Sequence, residues 1–193
     1  MSSIEAIRKS IMTERIRMSQ VRKAFGAGLD GSPAPAAALA FYPPCCEYLQ
    51  AALGRLHTQD QRIIELLTPL VPQDATQDLE ILKQFQTGLD ASQVALDRLM
   101  QVLAEYRASK DTAQLAFEDE ARAFLEVFIN VLGARRHTSS HLEDEHFDVS
   151  DWASVADIND DAKQLEQQLF AAVKAAAPEG ADPDLFRAGP PPN

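Results

Sequence analysis

Cysteine is scarce in this chain: there are two, Cys45 and Cys46, and they are adjacent. Neighbours on a helix point to different sides, so a disulfide between them would be strained, and buried thiols are expected instead. A four-cysteine zinc site is excluded by number, and a two-cysteine, two-histidine site is disfavoured because such sites space their cysteines. Long apolar runs are missing too: no stretch reaches the roughly 18–20 residues that a membrane span needs. The first residues lack the short apolar block and small-residue cleavage site of a secretory signal, so a cytoplasmic protein is expected. Glycine-rich phosphate loops and a Gly-x-Ser-x-Gly elbow are absent, and no segment alternates as a strand would. Histidine is also rare, at four residues in 193.

What is present is helical periodicity and acid. The net charge is −11, unevenly spread. Residues 1–26 hold six basic side chains against Glu5 and Glu14, a local +4, and the remainder carries −15. An acidic body disfavours nucleic acid as a partner. The basic first segment could dock on a partner or an acidic lipid face, although such a helix more often packs on its own bundle and pairs with its surface.

The spacing predicts an all-α, antiparallel up-down bundle of four main helices plus an N-terminal helix. Helix one spans about 2–25, with Ile4, Ile7, Ile11, Met18, Val21 and Phe25 on one face. A loose Gly/Pro/Ala linker over 27–39 follows, and the bundle domain occupies 40–177. Helix two is expected to begin at Pro43–Pro44, since proline suits a first turn. Its seam is Tyr42, Cys46, Leu49, Leu53, Leu56, Asp60, Ile63, Leu67, Leu70, in steps of three and four. Helix three presents Leu82, Phe85, Leu89, Ser92, Leu96, Leu99, Leu103 and Tyr106. Helix four, capped by Asp111, turns Phe117, Ala121, Phe124, Phe128 and Val131 inward and continues to His146. A short turn of helix precedes the last long one, about 160–176, where Ala162, Leu165, Leu169, Ala172 and Ala176 face the core. The tail, 178–193, is rich in proline and glycine and is expected to be mobile.

Two places carry chemistry. Asp60 sits inside an apolar stripe, where an ionised carboxylate costs several kcal/mol unless a cation or donors neutralise it. His57 lies one turn earlier, about 60° round the helix. The simpler reading is a buried pair between Asp60 and a histidine or arginine of another helix. The second place is His137-Thr-Ser-Ser-His141-Leu-Glu-Asp-Glu145-His146. Residues four apart stack on one helical face, so His137, His141 and Glu145 can point together, and a Glu-x-x-His is present as Glu143–His146. Imidazole with carboxylate suits iron, with manganese or zinc as alternatives. The simpler reading of this cluster is a solvated, acidic helix end. Glu118, Glu120 and Glu126 could add a carboxylate but read as surface.

Residues 56–64, Leu-His-Thr-Gln-Asp-Gln-Arg-Ile-Ile, resemble the first histidine-bearing helix of hemerythrin-like (HHE cation-binding) proteins. Residues 132–145, from Leu132 through His137 and His141 to Glu145, resemble their later helix with His-x-x-x-Glu. The similarity spans about residues 40–175. It implies an up-down four-helix bundle holding non-haem iron, one or two ions, through His57, Asp60, His137, His141 and Glu145, with His146 in reach. A small gas ligand such as oxygen or nitric oxide, redox sensing, or iron-dependent oxidation of a small substrate would follow. This chain departs from the family pattern of five histidines, and its last helix has none. The alternative from another class is a metal-free interaction bundle acting through partner binding or homodimerisation. A third is a metal-independent enzyme using His57 and Asp60 as an acid–base pair.

Overall fold

The computed structural model describes residues 3–109, 113–135, 139–157 and 160–187. Among them every regular element is helical: α1 (Ile4–Asp30), α2 (Pro35–Leu67), α3 (Thr76–Ser109), α4 (Gln114–Arg135), α5 (Ser140–His146), α6 (Val149–Val155), α7 (Asp160–Ala176) and a 3₁₀ turn (Pro183–Phe186). None of these helices is long and apolar enough to cross a membrane. The expected Asp111 cap lies outside the described residues, as does the side chain of Val131.

Helix α2 is the hub, packing against α1, α3, α5, α6 and α7. Its seam is buried from Tyr42 to Leu67, as its three-and-four spacing requires. Leu70, past the helix end, is 46% exposed and leaves the seam. Helices α3 and α4 pack on each other: Tyr106 stacks on Phe117, and Arg98 reaches Glu120, so α4 runs back along α3.

Apolar burial falls into two clusters. One centres on Phe25, Tyr42, Tyr106 and Phe117 and contains both cysteines, whose free thiols are held protonated by burial. The other gathers Ile7, Ile11, Ile63, Phe85, Leu142 and Trp152. Between them, buried polar residues interrupt the stripes: Gln59 and Asp60 on α2, and Ser92 on α3.

Three boundaries differ from the sequence expectation. Helix α1 does not stop at Gly26–Gly28 but runs to Asp30, where Gly31 donates back to Ala27 O. Gly28 serves close packing instead: a Cβ there would sit 2.5 Å from Cε1 of the fully buried Phe41. Most of the expected linker is helical, residues 27–30 ending α1 and residues 35–39 opening α2, with Pro35 in the opening turn of α2 and Pro43 and Pro44 inside it. An interior proline costs about 3 kcal/mol. Here the strong helix formers of residues 36–40 and the burial of Phe41 and Tyr42 outweigh that cost. The tail through residue 187 is also packed: Ala181 and Pro183 are buried, Asp182 caps the 3₁₀ turn, and Gln20 donates to Pro183 O.

On α7 the inward face is rotated from the expected one. Leu165 is 49% exposed, and Val173 is the fully buried position. The cause is Glu166, which turns inward to accept two hydrogen bonds from Arg55, at 2.5 and 2.9 Å, while Arg55 also donates to Glu14 at 2.8 Å.

Gly28→Ala is expected to destabilise the fold by about 1–3 kcal/mol, because Phe41 has no room to yield. The urea unfolding midpoint measures this, and an unchanged midpoint would contradict the close α1–α2 approach.

Candidate functional site

The site is built from the residue the sequence marks most strongly. Asp60 is 1% exposed. Arg15 of α1 donates from Nη2 to Asp60 Oδ1 at 3.2 Å, its side chain one-third exposed. The buried carboxylate is thus neutralised across a helix–helix contact, as charge burial demands.

Beside this pair lies a cavity of about 300 Å³. Helix α1 contributes Arg8, Ile11, Met12 and Arg15; α2 contributes Asp60 and Ile63; α3 contributes Phe85. Residues 139–143 add Ser139, Ser140 and Glu143, and α6 adds Trp152 and Val155. The cavity is covered on one side by the α5–α6 unit, which the local sequence folds tightly. Asp148 and Asp151 form a capping box at the start of α6. Phe147 and Trp152 meet edge to face at 5.5 Å between centroids. Arg8 lies 4.8 Å over the Trp152 ring and donates to Asp144 at 2.6 Å, tying α1 to both short helices. Two of the basic side chains of the first helix, Arg8 and Arg15, thus pair with acids of the bundle itself.

Glu143 is the cavity's second carboxyl group. Burial pushes its pKa above the ordinary 4.5, and the Asp60 carboxylate adds to the rise. A hydrogen bond from Ser139 Oγ at 3.1 Å and the charges of Arg15 and Arg8 oppose it. The cavity therefore joins two carboxyl groups and two guanidinium groups at the edge of an apolar wall. Perturbed acids in such a setting are typical of binding and catalytic sites.

The other sequence candidates go elsewhere. His57 lies on another face of α2, its Nδ1 2.9 Å from Gln93 Oε1 and its Nε2 3.0 Å from Ser92 Oγ. Gln93 Oε1 can only accept, so Nδ1 donates, and in the neutral ring Nε2 accepts from the Ser92 hydroxyl. His57 and Asp60 thus have separate partners and make no acid–base pair with each other. His141 is exposed on α5, 3.2 Å from Asp78 Oδ1. Glu145 is exposed, and His146 is half-buried at the end of α5. His137 lies outside the described residues. Helix α4 ends at Arg135 and α5 begins at Ser140, so His141 and Glu145 sit on a short separate helix rather than on a continuation of α4.

Iron would need several of these donors in one place. Among the described residues no group of three His, Cys, Asp or Glu is placed to hold a metal ion. The cavity offers two carboxyl groups and a hydroxyl, with a guanidinium already on one carboxylate and no described imidazole among its walls. That donor set does not fit a histidine-rich iron centre.

Sequence reasoning passed over Arg15 and the cavity role of Glu143, and it read Glu118 as surface. Glu118 is buried rather than on the surface, accepting from Tyr42 Oη at 2.9 Å and Gln114 Nε2 at 2.8 Å. Arg15 had a legible signal: it falls four residues after Ile11 and three before Met18, in the apolar stripe of α1.

Glu143→Gln is expected to stabilise the protein at neutral pH. A raised folded-state pKa means the native acid holds its proton while the unfolded one releases it, so stability falls as pH climbs above 4.5. Glutamine removes that loss, and its advantage should vanish as pH drops to 4.5 and below. Urea titrations at the two pH values measure it, and a variant destabilised equally at both would contradict the burial of Glu143.

Comparison with known proteins adds no relative: no family model matches the chain, and no curated protein and no solved structure is similar to it.

Proposed function

We propose that this chain is a helical-bundle binding protein whose cavity beside Asp60 holds a small, uncharged, largely apolar molecule with a hydrogen-bonding head. The observation that carries this reading is the composition of that cavity: Ile11, Met12, Ile63, Phe85, Trp152 and Val155 form its apolar walls, while Arg15, Asp60, Ser139 and Glu143 converge at it. Small-molecule sites combine an apolar lining with a few placed polar groups, and about 300 Å³ lies at the lower end of their range. Asp60 is already paired with Arg15, and Arg8 with Asp144, which favours an uncharged ligand over a charged one.

A second reading is the one implied by the resemblance: an up-down, hemerythrin-like bundle binding iron and, through it, oxygen or nitric oxide. One observation favours it. Asp60 shares a cavity with Ser139, Ser140 and Glu143, which belong to the histidine-rich stretch although none of its described histidines lines that cavity. Against it stand the Arg15 pairing of Asp60 and the separate partners of His57 and His141. A cation would first have to displace the Arg15 guanidinium.

Thermal unfolding with a panel of neutral amphiphiles (hexanol, hexanamide, benzyl alcohol), run beside metal analysis of freshly purified protein, separates the two. A bound ligand at about ten times its Kd adds roughly 1.4 kcal/mol, which is a Tm rise of several degrees. That rise is expected for at least one amphiphile, and Ile63→Trp, which fills the cavity, should abolish it. Iron at one or two per chain, lost in Asp60→Asn, would replace the first reading by the second. No Tm shift across the panel together with metal-free protein would overturn both.

A further inference from the structure

We propose that the cavity between α1 and α7, separate from the one beside Asp60, is a binding site for a small aromatic phosphate ester. Helices α1 and α7 each pack on α2, with little backbone contact between the two. The gap this leaves is a cavity of about 660 Å³, within the range of small-molecule sites. The 3₁₀ turn, which packs on α1, brings Asp184 to it, and Arg187 follows directly.

Charge is the first observation. Among the described residues, the cavity is lined by three basic side chains, Arg17, Lys174 and Arg187, and one acid, Asp184. Two positive charges are therefore in excess, in a chain whose net charge is −11. Asp184 accepts from Lys174 and, at 3.2 Å, from Arg187, so a single carboxylate holds two cations at the cavity. Arg17 makes no ion pair or hydrogen bond among the described residues. Glu14 and Glu166, which share an adjoining small cavity with Arg17, are held by Arg55 instead. A phosphate monoester recruits guanidinium and ammonium groups with spare donors, and an unengaged Arg fork can take it bidentately.

The apolar wall is the second observation. Ile16 and Phe170 line the same cavity. Phe170 is half-buried, and its ring centroid lies 5.8 Å from that of the buried Tyr48, which supports it from the core. An aryl group has an apolar, partly aromatic surface to lie against there. An inorganic anion would leave that wall unused. A membrane surface, far larger than the cavity, would meet the −11 of the whole chain rather than the local excess. A small anion with an aromatic body satisfies both observations.

The test is calorimetric titration of the full chain with 1-naphthyl phosphate, beside 1-naphthol, inorganic phosphate and vesicles containing phosphatidylserine. The naphthyl phosphate should bind in the micromolar range, more weakly as salt rises, and the other three at least tenfold more weakly or not at all. Arg17 is exposed, so Arg17→Glu should leave helicity and Tm unchanged while weakening binding at least tenfold. Lys83→Glu makes the same change in net charge at an exposed position on α3 and should bind normally, as should Ile63→Trp in the other cavity. No binding of 1-naphthyl phosphate, equal affinity for inorganic phosphate, or preference for the vesicles would overturn the proposal. So would equal losses in Arg17→Glu and Lys83→Glu, since the effect would then belong to net charge and not to this cavity.

Discussion

The Arg15–Asp60 pair is the constraint on which the rest of this structure depends. A carboxylate 1% exposed in the seam of the central helix must have a counter-charge, and α1 supplies it from a position that would otherwise be apolar. Neither residue can slide along its helix without leaving a charge among aliphatic side chains. The pair therefore fixes the register of α1 on α2, which a stripe of interchangeable Ile, Leu and Val contacts would leave looser. Because Arg15 is one-third exposed, the pair is partly screened. Specificity of docking is its clearer contribution, and net stability the lesser one.

The two apolar clusters meet at this level, and the polar groups of the bundle interior concentrate there. Gln59 and Ser92 are buried nearby, and Arg55 joins α1 to α7 through Glu14 and Glu166. Below the pair, the α5–α6 unit folds over α1 and α2, held by Leu142, Phe147, Trp152 and Val155 and by the Arg8 contacts to Asp144 and Trp152. The cavity exists because this cover meets a charged pair where close apolar packing is not available. Its chemistry follows from its position: apolar walls from the lower cluster, and acids and guanidinium groups from the polar level.

Much of this was legible in the sequence, and the failures have physical causes. The seams of α2 and α3 could be read residue by residue, because long helices average the period over many turns. Asp60 stood out because one carboxylate interrupts an otherwise apolar run. Arg15 interrupts its own stripe in the same way, but a long basic side chain is easily taken for a solvated one. The rotated face of α7 was not legible, since Arg55, 111 residues away, is what turns Glu166 inward. Nor was Glu118, whose burial depends on Tyr42 of α2. At Gly28 the glycine marks close approach rather than helix termination, a distinction that only the position of Phe41 reveals. The histidine spacing near 137–146 presumed a continuation of α4; His141 and Glu145 keep their i, i+4 relation, but on the separate short α5 and in exposed positions.

The most direct measurement is a double-mutant cycle on the pair, Arg15→Met and Asp60→Leu singly and together, with unfolding free energies from urea titration. Arg15→Met leaves a buried carboxylate without its guanidinium and should cost about 2–4 kcal/mol, whereas the double variant should recover most of that loss. A coupling energy above about 1.5 kcal/mol is the result expected of a true buried ion pair. Strictly additive losses would contradict it, and would mean that something other than Arg15 keeps Asp60 in the centre of the bundle.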